Sequence, residues 1–251
     1  MKVISLLNLK GGVGKTTTAI NLAKGLANQN HKVLLIDTDM QSNATLFFLE
    51  EKMMKDDYKN ISELLLDNKP VVNDYIYNVG HNLDIIGSHL KLSNAELMLK
   101  SDFSRNQTTV IKSWLKQINY DYVIIDCAPT ISLLTVNAIM ASDEIIIPIK
   151  IEYFALQGYQ TTKENIELIK NGYDVDVNYS VLFTMVNRNN IDRSVIENIE
   201  EIKYINTIRN QPKPITLSSF DKVALIDGKA SSVQNDYQNF INEFLEREAL
   251  Q

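Results

Sequence analysis

Lys10-Gly11-Gly12-Val13-Gly14-Lys15-Thr16-Thr17 follows a short apolar run, Val3-Ile4-Ser5-Leu6-Leu7, and leads into helical spacing from Thr16 to Asn28. Strand, glycine loop, helix is the order a phosphate cradle requires. Glycines let the backbone curl so that consecutive N–H groups face phosphate oxygens, and the helix opening at Lys15 adds its N-terminal partial positive charge. In such a loop Lys15 sits on the β- and γ-phosphates and the Thr16 hydroxyl ligates Mg²⁺. The match to G-x-x-x-x-G-K-[ST] is incomplete, because Leu9 stands where the first glycine belongs. The Gly11-Gly12 pair substitutes for it, with a second lysine, Lys10, just before. A glycine-rich turn that binds nothing is the competing explanation, but this residue order between strand and helix signals rarely arises for turn geometry alone.

The same residues resemble the loop K-G-G-x-G-K-[ST] of the deviant Walker-type ATPases of the ParA/MinD class. The resemblance implies ATP and Mg²⁺ as ligands. It also implies a homodimer in which Lys10 reaches across the interface to phosphates held by the other copy.

Working outward, the next apolar run, Val33-Leu34-Leu35-Ile36, ends in Asp37-Thr38-Asp39-Met40-Gln41-Ser42-Asn43-Ala44-Thr45. Ligands of open α/β sheets collect at the carboxyl ends of strands, where both acids lie. The segment resembles the family's D-x-D-P-Q-x-N-A-T, which implies that Asp39 positions or activates the attacking water, with Asp37 near the metal shell. Met40 replaces the usual proline and removes one φ constraint. A capped turn, with Asp39 or Ser42 as the cap, is compatible with the same residues. A further run, Tyr122-Val123-Ile124-Ile125, ends in Asp126-Cys127-Ala128-Pro129-Thr130, where Asp126 can hold Mg²⁺ through water. That stretch resembles the family's D-x-x-P switch, while Cys127 reads as a small core residue. After Thr184-Met185-Val186, Asn187 matches the position that relatives use against adenine, although a plain turn explains it as well.

Strand-length runs recur at Leu83–Ile86, Glu144–Ile147 and Val181–Val186, several of them apolar at every position. Such strands are covered on both faces, the signature of a parallel sheet between helices. Helical spacing fills the gaps over 94–118, 132–141, 156–170, 194–204 and 233–248, with a short helix at 61–66. The order predicts a doubly wound, mostly parallel α/β sheet with helices on both faces, a single P-loop domain over residues 1–251.

The chain of 251 residues carries a net charge of −6, so contact with nucleic acid requires a local basic patch. The window from Lys203 to Lys213 holds Lys203, Arg209 and Lys213 without an acid. With Arg188, Arg193 and Lys222 it is the candidate DNA surface, against the alternative of ordinary solvated charge. One cysteine excludes an intrachain disulfide or a zinc quartet, and a reducing cytoplasm is the simplest expectation. No apolar run approaches the roughly 20 residues of a membrane helix.

For function, the resemblance implies an ATP-hydrolysing switch. It dimerises on ATP, binds nonspecific DNA on the nucleoid, and drives plasmid or chromosome partition with a centromere-binding, ParB-type partner. The loop lies so near the start that no N-terminal helix-turn-helix is expected. The alternative is a membrane-surface positioning ATPase like MinD, which the acidic outer face of the 233–248 helix disfavours, since anionic lipid attracts basic helices. A metallocluster-assembly ATPase of the same superfamily would need more cysteines.

Overall fold

The computed structural model describes residues 1–187, 189–199 and 202–250, with the backbone alone at 153–156. Seven strands form one sheet: β1 (Lys2–Leu6), β2 (Val33–Asp37), β3 (Tyr77–Gly80), β4 (Leu83–Ile86), β5 (Tyr122–Asp126), β6 (Glu144–Lys150) and β7 (Asn178–Thr184). Their spatial order is β3-β4-β2-β5-β1-β6-β7, with every pair parallel except β3–β4. The chain leaves β1 towards β2 on one side and leaves β5 towards β6 on the other. The loops after β1 and β5 therefore diverge at the carboxyl edge and open a crevice there.

Alternate residues of each strand feed two cores. On β5, Val123 and Ile125 join one apolar cluster while Ile124 joins the other; on β2, Leu34 and Ile36 oppose Val33 and Leu35. This explains the uninterrupted apolar runs, because no strand face is left to water. The first cluster lies under α3 (Ile61–Leu66), α4 (Leu92–Lys100), α5 (Val110–Leu115), α6 (Leu133–Ala141) and α7 (Tyr153–Tyr173). The second lies under α1 (Lys15–Asn28), α2 (Asn43–Met53) and α10 (Ser232–Ala249). The apolar face of α10, with Val233, Tyr237, Phe240, Ile241 and Phe244, is wholly buried there.

Two expectations need correction, and one strand lies outside the expected runs. The helix expected over 94–118 is two helices, since the Asp102 carboxylate accepts the N–H and hydroxyl of Ser104, and Asn106 does the same for Thr108. Such side-chain bonds compete with helical ones and break the run. Helix α5 restarts where the Asn137 amide oxygen accepts the N–H groups of Val110 and Ile111. The helix expected over 194–204 is instead α8 (Asn190–Asn198), capped by Asn189. Beyond it, Ile202 to Asn210 runs along the outer edge of β7, pairing its backbone with Val181, Phe183 and Val186. Finally, β3 is a short antiparallel edge strand, joined to β4 through Asn82 at φ 54°. Helix α9 (Pro212–Asp221) completes the set, with no buried residue of its own.

Candidate active site

The expected phosphate loop follows β1. Gly12 and Gly14 take φ values of 72° and 87°, a region closed to most side chains. Gly14 is the N-cap of α1, so the loop opens onto a helix N-terminus. Buried polar groups absent from the motif shape its flanks. Asn8 donates to the Pro148 carbonyl (2.7 Å) and accepts the Lys10 N–H (2.8 Å), while the Thr162 hydroxyl accepts the Leu9 N–H (3.1 Å). From β7 the Thr184 hydroxyl donates to the Val13 carbonyl at 2.8 Å. Asn8 and Thr184 were visible in the sequence as polar residues at the ends of apolar runs, but their partners lie far along the chain.

Lys15 is buried, and its ammonium donates to the Lys10 carbonyl at 3.1 Å across the mouth of the loop. Burial pushes its pKa down, opposed most by Asp126. A phosphate would replace that single carbonyl with anionic oxygens. Lys10 itself leans towards α7. Its ammonium stands 3.8 Å from Glu152, and its stem lies so close to Gly158 that a Cβ there would meet it at 3.2 Å.

The three aspartates differ sharply. Asp37 and Asp126 are register partners at the ends of β2 and β5, and both are out of water. Asp37 Oδ2 accepts the N–H (2.9 Å) and hydroxyl (2.7 Å) of Thr45, and its Oδ1 accepts the Asp39 N–H (3.1 Å). Burial still raises its pKa to about 6. Asp39 in turn accepts the Gln41 N–H on its carboxylate and the Ser42 N–H on its carbonyl, both at 2.9 Å. These bonds hold the loop in place of the missing proline at Met40. Neither oxygen of Asp126 has a hydrogen-bond partner. Its pKa is raised well above the carboxylate range by burial and then by Asp37, against the pull of Thr16 and Lys15.

An orphaned buried carboxylate beside the Thr16 hydroxyl and the loop fits Mg²⁺, which takes few protein oxygens and completes its shell with phosphate and water. Among the described residues no cluster of three or more His, Cys, Asp or Glu could hold a metal by itself. Of the expected set Thr16, Asp37 and Asp126, it is Asp126 that has both oxygens open.

Beyond β7, Asn187 is exposed; its backbone N–H donates to the Asp192 carboxylate (2.7 Å) and its side-chain Oδ1 accepts from the Asn210 amide (3.1 Å). Among the described basic candidates, three are tied to other parts of the chain. The Arg209 guanidinium is bound two-pronged to Asp236 of α10, with both contacts at 2.6 Å, and the Lys203 ammonium donates to the carbonyls of Ile196 and Ile199. In this state both therefore brace the fold. Lys222 donates to the Leu46 carbonyl and pairs with Glu50 at 3.6 Å. Arg193 and Lys213 are exposed, and Arg188 lies outside the described residues. The acids of α10 are therefore not an idle solvated face, since Glu243 also accepts the N–H groups of Ile205 and Asn206.

The family profile described as an AAA domain matches residues 1–179. The sporulation initiation inhibitor protein Soj of Bacillus subtilis is 38% identical over 204 residues, covering 80% of this chain and 79% of that protein. The chain is a ParA/MinD-type ATPase. The chromosome partitioning protein ParA of Myxococcus xanthus is 35% identical over 211 residues, covering 79% of this chain and 70% of its own length. A putative plasmid partition protein from Borrelia burgdorferi, solved bound to AMPPNP, matches with a TM-score of 0.80 at 29% identity over 98% of both chains. The resemblance in this ParA-type chain thus extends from the loop to the entire sheet. None of its described helices is long and apolar enough to cross a membrane.

Proposed function

We propose that this chain is a DNA-partitioning switch that binds ATP with Mg²⁺, pairs with a second copy around the nucleotides, and in that state holds nonspecific DNA. The observation that carries the reading is the buried, unpartnered Asp126 carboxylate beside the Lys15–Thr16 cradle. Lys15 and Thr16 offset its burial only in part, whereas a bound divalent cation would offset the rest. Bound Mg²⁺ would neutralise charge on the phosphate oxygens. Lys15 would bind the β- and γ-phosphates, and Gly11 to Thr17 would present backbone N–H groups. Asp39 would orient the attacking water. The Asn187 segment would meet the adenine.

In the paired state Lys10 leaves Glu152 and reaches the phosphates of the other copy, so turnover depends on dimerisation. DNA contact then rests on Arg193 and Lys213, with Lys222 once freed from Glu50, and on Arg188. So few charges per copy give a weak, salt-dependent grip that two copies strengthen. A centromere-bound, ParB-type protein would stimulate hydrolysis and release the pair, and the site of action would be the nucleoid in the cytoplasm. Support comes from the partition proteins among the relatives and from the burial of Val233, Tyr237, Phe240, Ile241 and Phe244 of α10 against the sheet.

The test is retention on random duplex DNA with no nucleotide, with ADP and with ATP, at two salt concentrations. Retention that needs ATP and falls with salt is expected. Equal retention in all three states would overturn the partition reading.

A further inference from the structure

Behind the loop that carries Asp39 lies a buried polar chain with no part in the phosphate cradle. The Thr45 hydroxyl donates to Asp37 Oδ2 at 2.7 Å and accepts the Ser88 N–H at 2.7 Å. The Tyr58 hydroxyl donates to the Ser88 carbonyl at 3.0 Å. Thr45, Ser88 and Asp37 are fully buried and Tyr58 is nearly so. Gly87 makes the convergence possible, because a Cβ there would lie 2.2 Å from the Tyr58 hydroxyl and 2.8 Å from the Thr45 methyl. Three segments distant in sequence, the α2 start, the 58 turn and the end of β4, thus meet in one chain, of which Thr45 reaches the carboxylate.

We propose that Thr45 is the positioning residue of this ATPase, fixing the carboxylate of Asp37 and through it the backbone of Asp39, with Tyr58 bracing Thr45 by way of Ser88. The relay is continuous. Thr45 supplies two of the three donors on Asp37, and the remaining oxygen of Asp37 takes the Asp39 N–H, the backbone of the residue proposed to orient water. A hydroxyl is required because it donates to the carboxylate and accepts from Ser88 at once, and valine does neither. The inference rests on the ATPase reading. It adds that the accuracy of the water-orienting loop is set from outside the cradle.

Thr45→Val, Thr45→Ser and Tyr58→Phe are compared with wild type in steady-state ATP hydrolysis, fluorescent ATP-analogue titration and thermal unfolding without nucleotide. Thr45→Val should lower kcat by about tenfold or more, within the range for misplaced catalytic geometry, while analogue affinity stays within about twofold. Thr45→Ser should restore kcat to within about twofold, since it keeps the hydroxyl. Tyr58→Phe, remote from the nucleotide, should lower kcat about threefold with affinity unchanged, and it serves as the test if Thr45→Val does not fold. A Thr45→Val protein with wild-type kcat and only a lowered unfolding temperature would overturn the proposal, as would equal losses of kcat and affinity. Absence of hydrolysis in the wild type would instead defeat the ATPase reading itself.

Discussion

The loops after β2 and β5 begin with aspartates that sit side by side in the sheet, equally removed from water, and bonded in opposite ways. Asp37 is held by three donors from Thr45 and Asp39, whereas Asp126 is held by none. A buried carboxylate with donors is part of the scaffold, while one without them costs the apo fold free energy that a proton or a bound cation relieves. The neighbouring acids therefore differ in what they are free to do. One braces the loop that carries Asp39, and the other is the carboxylate the proposed function assigns to metal.

The largest effect that can break this comparison comes from Asp126→Asn. Hydrolysis with Mg²⁺ should fall about 100-fold or more, an amount typical of losing charge stabilisation in a phosphoryl-transfer site. The nucleotide-free protein should nonetheless be more stable, by about 1–3 kcal/mol at pH 8, because the fold no longer holds a desolvated carboxyl with a raised pKa. Calorimetry without nucleotide measures this, and a lower midpoint would show that Asp126 is compensated after all. Asp37→Asn should move stability the other way. The amide turns an N–H₂ group towards the donors of Thr45 or of Asp39, leaving a clash or an orphan worth about 2–3 kcal/mol. Denaturant titration at pH 7.5 gives the figure, and a neutral result would reduce the Thr45 bonds to incidental contacts.

How much of this was legible beforehand follows from where the partners sit. Asp126 could be read because an apolar strand ending in an acid is a local pattern, and the glycine loop supplied its context. Its bareness could not, since that depends on which donors the fold brings near. Thr45 stood in plain view eight residues after Asp37, but Ser88 is a further 43 residues along, and no local spacing announces their bond. The partners of the basic window were hidden for the same reason. Composition shows the sign of Arg209 and hides Asp236, 27 residues away, which takes that charge up. Periodicity ran smoothly across 94–118 because apolar residues continue there, while Asp102 and Asn106 stop the helix with bonds that periodicity does not count. The sheet itself was readable, since strands buried on both faces leave continuous apolar runs.

A smaller effect sharpens the comparison by testing whether the two acids feel each other. Asp37 is the second cause, after burial, of the raised pKa of Asp126. In the nucleotide-free protein, the Asp37→Asn/Asp126→Asn pair should therefore be non-additive by about 1 kcal/mol, the size usual for contacting charged neighbours. Simple additivity would mean that burial alone sets the state of Asp126.

The smallest effect belongs to a third buried acid, Glu144, at the opposite edge of the sheet. It accepts the Tyr204 hydroxyl at 3.1 Å and so lies between the bare and the fully held case. Burial raises its pKa above that of an unfolded glutamate, more than its hydrogen bonds lower it. The sign follows by linkage. A raised folded pKa contributes stability below the unfolded value, near 4.5, and this contribution is lost as pH rises through the folded value. Glu144→Gln should therefore flatten the fall in stability on going from pH 4.5 to neutrality, by about 1 kcal/mol or less, as followed by denaturant titration. It should leave nucleotide affinity untouched, because the site lies at the other ends of the strands. If the variant instead steepens that fall, the hydrogen bond from Tyr204 outweighs the cost of burial, and Glu144 belongs with Asp37 among the braces.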